Sequence, residues 1–282
     1  LNNLGNALQK MNNSAEAITF YQRALELQDD YVEACNNLGQ ALKNLGRITE
    51  ARAYFRHAIQ LNPNFSQAIR NHAEVDENWL EPLEGKKLYL RRYEAQDAAY
   101  LHCCFQNDVF MTQYNQYIPK NQRQSELEAK LRQTKDMHPC ETRSVDWIII
   151  MRDSGQSAGI ANLVDINLSH RRAEFLIGLP NREDHTRGIA LEATLLILDY
   201  VFNRIQLNKL SANVYAENSF SQKNTLALGF VEESYLREHI VDPASGRFLN
   251  IHGNGMTLRD FRTNNRISKL SKRMLGSDIT AA

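Results

Sequence analysis

A chain that repeats itself at a fixed spacing has few ways to fold, and the first seventy residues here do so. Leu4 and Gly5 return as Leu38 and Gly39, Ala17 as Ala51, Tyr21 as Phe55, Ala24 as Ala58 and Leu27 as Leu61, each after 34 residues. A unit of that length cannot bury its apolar side alone, so neighbouring units must stack. The small residues Ala17, Ala24, Ala51 and Ala58 let helices approach closely, and Tyr21 and Phe55 fill the space between them. Each unit is expected to be a helix-turn-helix.

The period, with Leu-Gly early, Ala in the middle, an aromatic four residues later and Pro63 at the end, resembles the tetratricopeptide repeat. A third cycle starts, with Phe65, Ala68 and Asn71 matching Tyr31, Ala34 and Asn37, and then dissolves into Asp76, Glu77 and Asn78. Ser66 to about Val75 is expected as a capping helix. The chain opens at Leu1 without a Met, in mid-repeat, and two repeats are fewer than such arrays use, so the expectation is the C-terminal part of a longer protein. The resemblance implies recruitment of a protein partner through the repeats. Asn3, Asn37 and Asn71 recur at the repeat spacing on the expected groove, where they either bond an extended peptide or solvate the surface.

Asp76 to Gly85, with Pro82 and Gly85, reads as a linker. After it the apolar spacing changes. Strands are expected at Leu88 to Arg91, Trp147 to Met151, Ala158 to Ile166, Ala173 to Leu179, Leu210 to Tyr215, Phe230 to His239 and Phe248 to Leu258. Helices fit Asp97 to Gln106, Ser125 to Thr134, Leu191 to Arg204 and Ser219 to Leu228. The fold class is therefore α+β: all-α repeats at 1–75, a linker at 76–85, a domain at 86–265 with a mixed, mainly antiparallel sheet between helices, and a tail at 266–282.

With 282 residues and 43% hydrophobic content, two real cores are affordable in size. Lys plus Arg (33) equals Asp plus Glu (33), so no broad basic field invites nucleic acid or an anionic membrane. No apolar run approaches the roughly 20 residues that span a bilayer, and no secretory leader is visible, so the expected location is the cytoplasm. Cys35, Cys103, Cys104 and Cys140 have neither metal-site spacing nor a disulfide pattern and read as buried thiols, with no metal expected.

The second half carries its chemistry in two places. The strand residues Glu174 to Ile177 lead through Gly178 and Pro180 to His185, Thr186, Arg187, Gly188, Ile189, Ala190 and a long apolar helix. A glycine at that junction lets a ligand approach the backbone, and the free amides of a first helical turn suit a phosphate. The spacing is neither the three-glycine dinucleotide turn nor a P-loop. About thirty residues on, Val214 to Asn218 lead into a helix bearing Ser221 and ending in Leu228, Gly229, Phe230.

Together these resemble the GCN5-related N-acetyltransferases, whose signature of Arg or Gln, two residues, Gly, one residue, Gly or Ala falls here on His185, Gly188 and Ala190. The resemblance runs from Lys86 to Arg262 and has the flavour of the ribosomal-protein N-terminal and aminosugar acetyltransferases. Leu88 to Arg92, Asp97, Ala98, Asn107, Asp108, Gly159, Ala173 and Tyr235 to Glu238 fall where those relatives have them. It implies an acyl-CoA N-acyltransferase fold, acetyl-CoA as co-substrate, and cofactor contacts from Phe175, Leu176, Ile177, His185, Thr186, Arg187, Gly188, Ile189, Ala190 and Asn218.

Acetyl transfer to an amine needs the amine neutral, hence a base or water relay, and donors where the thioester oxygen becomes negative. The resemblance assigns the donors to backbone amides around Phe175 to Ile177, where it implies that this strand splays from the next to admit the pantetheine arm. Glu174 is the candidate base; the plain alternative is the polar member of an alternating strand. Asn218 either contacts the cofactor or caps the helix at Ser219. Where many relatives place a tyrosine as proton donor, seven residues after the Asn, this chain has Thr225, and Ser221 is the substitute candidate, with helix capping as its alternative. His252 is read as structural or as facing the acceptor. The loop Gln113 to Asn121 and the segment Leu236 to Phe248 are expected to frame the acceptor. The expected activity is direct acetyl transfer to a primary amine on a small molecule or peptide, either a protein N-terminus or a nucleotide-linked amino sugar. The alternative is a non-catalytic scaffold that binds coenzyme A and a protein partner.

Overall fold

The computed structural model describes residues 1–115, 122–181, 183–184, 188–242 and 245–281. It divides into two compact units, Leu1–Trp79 and Leu80–Ala282. Among the described residues no helix is long and apolar enough to cross a membrane.

The first unit follows the repeat in five helices: α1 (Asn2–Lys10), α2 (Ser14–Leu27), α3 (Val32–Asn44), α4 (Ile48–Leu61) and α5 (Ser66–Ala73). The repeated glycine has a steric cause. A Cβ on Gly5 would stand 2.5 Å from the Tyr21 ring, and one on Gly39 2.6 Å from Phe55. Each aromatic of a second helix thus lies against the backbone of the first, and both rings are fully buried. The repeats differ where Tyr21 carries a hydroxyl, which meets the side-chain oxygens of Asn6 and Gln9 at 2.7 Å each. Phe55 has none, and Lys43, at the position of Gln9, pairs instead with Glu74 at 2.6 Å.

The groove asparagines need correcting. Asn71 is buried and donates to Asn36 Oδ1 at 2.9 Å. Asn37 donates to Asn2 at 3.1 Å and to Asn6 at 3.0 Å. The capping helix is packed in at this point, so its matching position turns from groove to core. Asn37 lines the surface groove as expected, with Asn2, Asn6, Lys10, Gln40 and Asn44, whereas Asn3 and Asn71 do not.

The second unit is built on one sheet. Its strands are β1 (Leu83–Glu84), β2 (Leu88–Arg92), β3 (Val145–Met151), β4 (Ser157–Asn167), β5 (Arg172–Gly178), β6 (Lys209–Tyr215), β7 (Val231–Val241) and β8 (Phe248–Thr257). They lie in the order β1-β2-β3-β4-β5-β6-β8-β7. Every pair is antiparallel except β5 with β6. This is the expected mixed, mainly antiparallel sheet. The expected linker also contributes: β1 lies within it, and Leu83 is fully buried.

Helices α6 (Ala98–Gln106), α7 (Asp108–Tyr114), α8 (Gln124–Thr134) and the short α9 (Pro139–Thr142) come between β2 and β3. The first three share a core with Ile160 and Leu176 on one face of the sheet. α7 was not expected; Asn107 starts it by accepting from Phe110 N at 3.1 Å, a cap that reads in sequence as the end of α6. α10 (Ile189–Asp199) continues into a π-helical turn, Tyr200–Arg204. There Tyr200 meets Trp147 edge-on at 5.2 Å on the opposite face. α11 (Ser219–Leu228) lies between β6 and β7.

The expected tail is ordered. After α12 (Leu258–Arg262), α13 (Asn265–Met274) forms a helix capped by Asn264, which accepts from Arg266 N and Ile267 N at 3.0 Å each. Ile267 and Ser271 are fully buried on it, and Phe261 stacks on Phe202 at 4.6 Å. Apolar residues spaced along an otherwise basic helix bury one side of it. The cysteines also divide: Cys35 and Cys104 are buried, Cys140 is half-buried and Cys103 is exposed, contrary to the expectation of four buried thiols.

Candidate active site

The site begins where two strands part. β5 and β6 pair only over Arg172–Glu174 with Lys209–Ser211. Beyond that, β5 stays on β4, with Phe175 opposite Leu163 and Ile177 opposite Ala161, while β6 stays on β8. The edge of β5 over Phe175 to Gly178 therefore has no strand partner on the β6 side. Backbone donors and acceptors shut away without partners cost about 1–3 kcal/mol each, so such an edge is suited to a ligand with amide groups of its own. A cavity of about 400 Å³ fills the gap. Its walls include Phe175, Leu176, Ile177, Val214 and Phe230, with Phe175 stacked on Phe230 at 5.9 Å.

At the same cavity α10 starts on Gly188, whose φ is +75° and which offers no side-chain cap to the first turn. A non-glycine residue held in that left-handed conformation costs roughly 1–2 kcal/mol. Among the described residues a Cβ there would meet only Met274 Cε, at 3.8 Å, while the positive φ by itself calls for glycine. Gly188 and Ala190 line the cavity, and Ile189 is buried behind them. His185, Thr186 and Arg187 lie outside the described residues, as do 116–121 of the expected acceptor loop.

Across the gap, Asn218 caps α11 by accepting from Ser221 N at 3.1 Å, and it also lines the cavity. Ser221 and Thr225 line it too, but Thr225 donates its hydroxyl to Ser221 O at 2.9 Å. Its proton is thus already engaged. No such bond holds the Ser221 hydroxyl among the described residues.

Glu174 stands one residue before the strands part. It is half-buried and accepts from Asn213 Nδ2 at 3.0 Å. Burial pushes its carboxyl above the usual range, the Asn213 hydrogen bond opposes that, and Asp165 adds to it. Strand alternation puts Glu174 on the Leu176 face, while Phe175 and Ile177 face the other way. Asn213 lines the cavity, and Glu174, which is not among its lining residues, reaches it only through that amide. His252 sits apart, its Nδ1 3.2 Å from Glu232 Oε1 and its ring 5.0 Å from Tyr235.

Two participants, Asn213 and Arg266, were missed in the sequence, while a third, Tyr114, falls in the expected acceptor loop Gln113 to Asn121. Asn213 is the polar alternate of β6, a signal present in Ser211, Asn213, Tyr215. Tyr114 lines the cavity and bonds Asn162, which in turn donates to Asp146. Arg266 comes from the supposed tail.

Comparison with known proteins agrees with this geometry. A family model described as an acetyltransferase (GNAT) domain matches residues 87–231, and tetratricopeptide repeat models match 1–31 and 32–65. The uncharacterized N-acetyltransferase YoaA of Bacillus subtilis (strain 168) is 30% identical over 171 residues, 60% of this chain and 94% of that protein. The spermidine N(1)-acetyltransferase of Escherichia coli (strain K12) is 30% identical over 154 residues, 54% of this chain and 78% of that protein. The crystal structure of spermidine N-acetyltransferase from Vibrio cholerae in complex with CoA and spermine superimposes with a TM-score of 0.54 at 25% identity, covering 61% of this chain and 95% of that one. The chain belongs to the GNAT acetyltransferase family. It is an acetyl-CoA dependent N-acetyltransferase that carries tetratricopeptide repeats at its N-terminal end.

Proposed function

We propose that the chain acetylates a primary amine by direct attack in the gap between β5 and β6, with Glu174 as the base. The parting of those strands beside a half-buried carboxylate is the observation that carries this reading. Glu174 takes the proton of the acceptor amine, directly or through one water, and a carboxyl held above its usual pKa is a better proton acceptor for that purpose. The amine nitrogen forms a bond to the thioester carbon, and charge collects on the carbonyl oxygen facing the open, β6-side edge of β5 at Phe175 to Ile177. The carbon–sulfur bond then breaks. Ser221, whose hydroxyl is not engaged as that of Thr225 is, donates a hydrogen bond to the departing sulfur, and the thiolate takes its proton from water. Phe175, Leu176, Ile177 and Asn218 hold the pantetheine arm, and His185, Thr186, Arg187, Gly188, Ile189 and Ala190 hold the diphosphate.

The acceptor is a single amine on a polar carrier, either a protein N-terminus or a nucleotide-linked amino sugar, as in the ribosomal-protein and aminosugar acetyltransferases. Among the described residues lining the cavity there is no carboxylate. A polyamine bearing several positive charges would favour more than one. The second reading is a polyamine acceptor, which the similarity to spermidine acetyltransferases supports. The repeats recruit a protein partner through the amide-lined groove.

Acetyl-CoA consumption measured over N-terminal peptides, nucleotide-linked amino sugars and spermidine tests the choice. A peptide or amino sugar is expected to exceed spermidine in kcat/KM by about tenfold or more. Spermidine as the best acceptor would overturn the acceptor and favour the polyamine reading.

A further inference from the structure

The C-terminal helix α13 reaches the cofactor cavity with one cation. Arg266 lines it together with Leu270, opposite Gly188, Ala190 and Leu191 of α10 and alongside Asn224, Ala227 and Leu228 of α11. It is exposed, and its guanidinium makes no ion pair or hydrogen bond among the described residues. Its neighbours on the same helix are occupied differently: Lys272 pairs with Asp278 at 2.9 Å, and Ser268 donates to Asp278 at 2.6 Å. Among the described residues lining the cavity, Arg266 is the one cation. It also lies beyond the stretch 87–231 that matches the family model.

The two ends of α13 abut different walls. Its last residue, Met274, approaches the Gly188 junction, its Cε 3.8 Å from where a Cβ would stand. Its first turn sits against the end of α11, where Asn264 Nδ2 donates to Leu228 O at 2.9 Å. Eight residues separate Arg266 from Met274, or about 12 Å of helix axis. The two ends of α13 therefore face different parts of a ligand that spans the cavity, the Met274 end the α10 junction and the Arg266 end the wall made by α11. Coenzyme A carries one further phosphate, the monoester on the ribose 3′ oxygen, at the adenosine end that remains outermost when the pantetheine arm runs inward between β5 and β6.

We propose that Arg266 is the 3′-phosphate receptor of this enzyme, forming a forked pair with the phosphate oxygens. A planar fork of donors suits that group, and the helix contributes a fixed position while leaving the head free until cofactor arrives. The assignment rests on the reading that the α10 junction holds the diphosphate.

Calorimetric dissociation constants for coenzyme A and for 3′-dephospho-coenzyme A, measured on the full chain, test it. The parent is expected to bind coenzyme A about tenfold more tightly, the size of one charge-assisted contact. Arg266→Ala should erase that ratio and leave the affinity for 3′-dephospho-coenzyme A unchanged, and Arg266→Lys should restore part of it. An equal loss for both ligands would assign Arg266 to the diphosphate or to structure and overturn the proposal. A full ratio retained in Arg266→Ala would overturn it as well. Failure of the diphosphate reading would look different: a folded Gly188→Glu variant would bind 3′-dephospho-coenzyme A as tightly as the parent.

Discussion

Glu174 and Asp146 are two carboxylates on one face of one sheet, and burial holds both above the usual range. Their surroundings differ. Asp146 pairs in register with Asn162 across strands that stay joined, and Asn162 is also held by Tyr114. Glu174 has one amide neighbour, Asn213, and stands where β5 and β6 stop pairing. A raised carboxyl is therefore not by itself a sign of catalysis. What distinguishes the proposed base is an open strand edge next to it, where an acceptor amine can arrive.

The largest expected effect falls on that base. Glu174→Gln should lower turnover on the order of 100-fold at pH 7 while leaving acetyl-CoA affinity nearly intact. The parent's rate should fall as pH drops through the raised carboxyl pKa, because the base is then protonated, and the variant should lack that limb. Turnover within a few fold of the parent would break the contrast between the two carboxylates. Next comes Gly188→Glu, which separates holding the cofactor from removing the proton. Among the described residues a Cβ at Gly188 meets nothing nearer than Met274 Cε at 3.8 Å, so the fold should survive, while the acetyl-CoA dissociation constant should rise about tenfold or more from the left-handed strain and the charge set against phosphate.

Asp146→Asn should behave in the opposite way to the change at Glu174. An amide oxygen still accepts from Asn162, so turnover should stay within about twofold, in line with a group remote from the transfer. For a carboxyl whose folded pKa is raised, the stabilising contribution is present at low pH and is lost as pH rises through that folded value. At a pH above the usual carboxylate range Asp146 is thus a cost to the fold, and the variant's Tm at neutral pH should equal or exceed the parent's, with the difference closing as pH falls. A large loss of turnover at unchanged Tm would make Asp146 part of the chemistry. The smallest effect is expected from a chain beginning at Leu80, which keeps β1 intact: small-acceptor kinetics should match the full chain, and only binding to a macromolecular partner should be lost.

The repeats were legible because their information is local and periodic. Gly5 and Tyr21 recur as Gly39 and Phe55, and each pair meets within one unit. The junction at Gly188 was legible because a left-handed residue ahead of a helix leaves few choices but glycine. Two other features required the third dimension. Asn71 follows the repeat spacing perfectly well yet is buried, because the helix that carries it closes the stack. Arg266 lies in a basic stretch that reads as solvated tail, and only the burial of Ile267 and Ser271 against the domain brings it to the cavity. Glu174 was readable as a strand carboxylate, and the splay at Phe175 to Ile177 followed from the family resemblance, since no alternation pattern says where two parallel strands cease to pair.

In the proposed reaction the unpartnered edge of β5 receives the cofactor. Backbone amide NMR shifts of the full chain titrated with coenzyme A test it most directly. The largest perturbations are expected at Phe175, Leu176, Ile177, Gly188 and Ala190, with the amides of Val145 to Ile149 nearly unmoved. Saturating coenzyme A that leaves Phe175 to Ile177 unperturbed would contradict it.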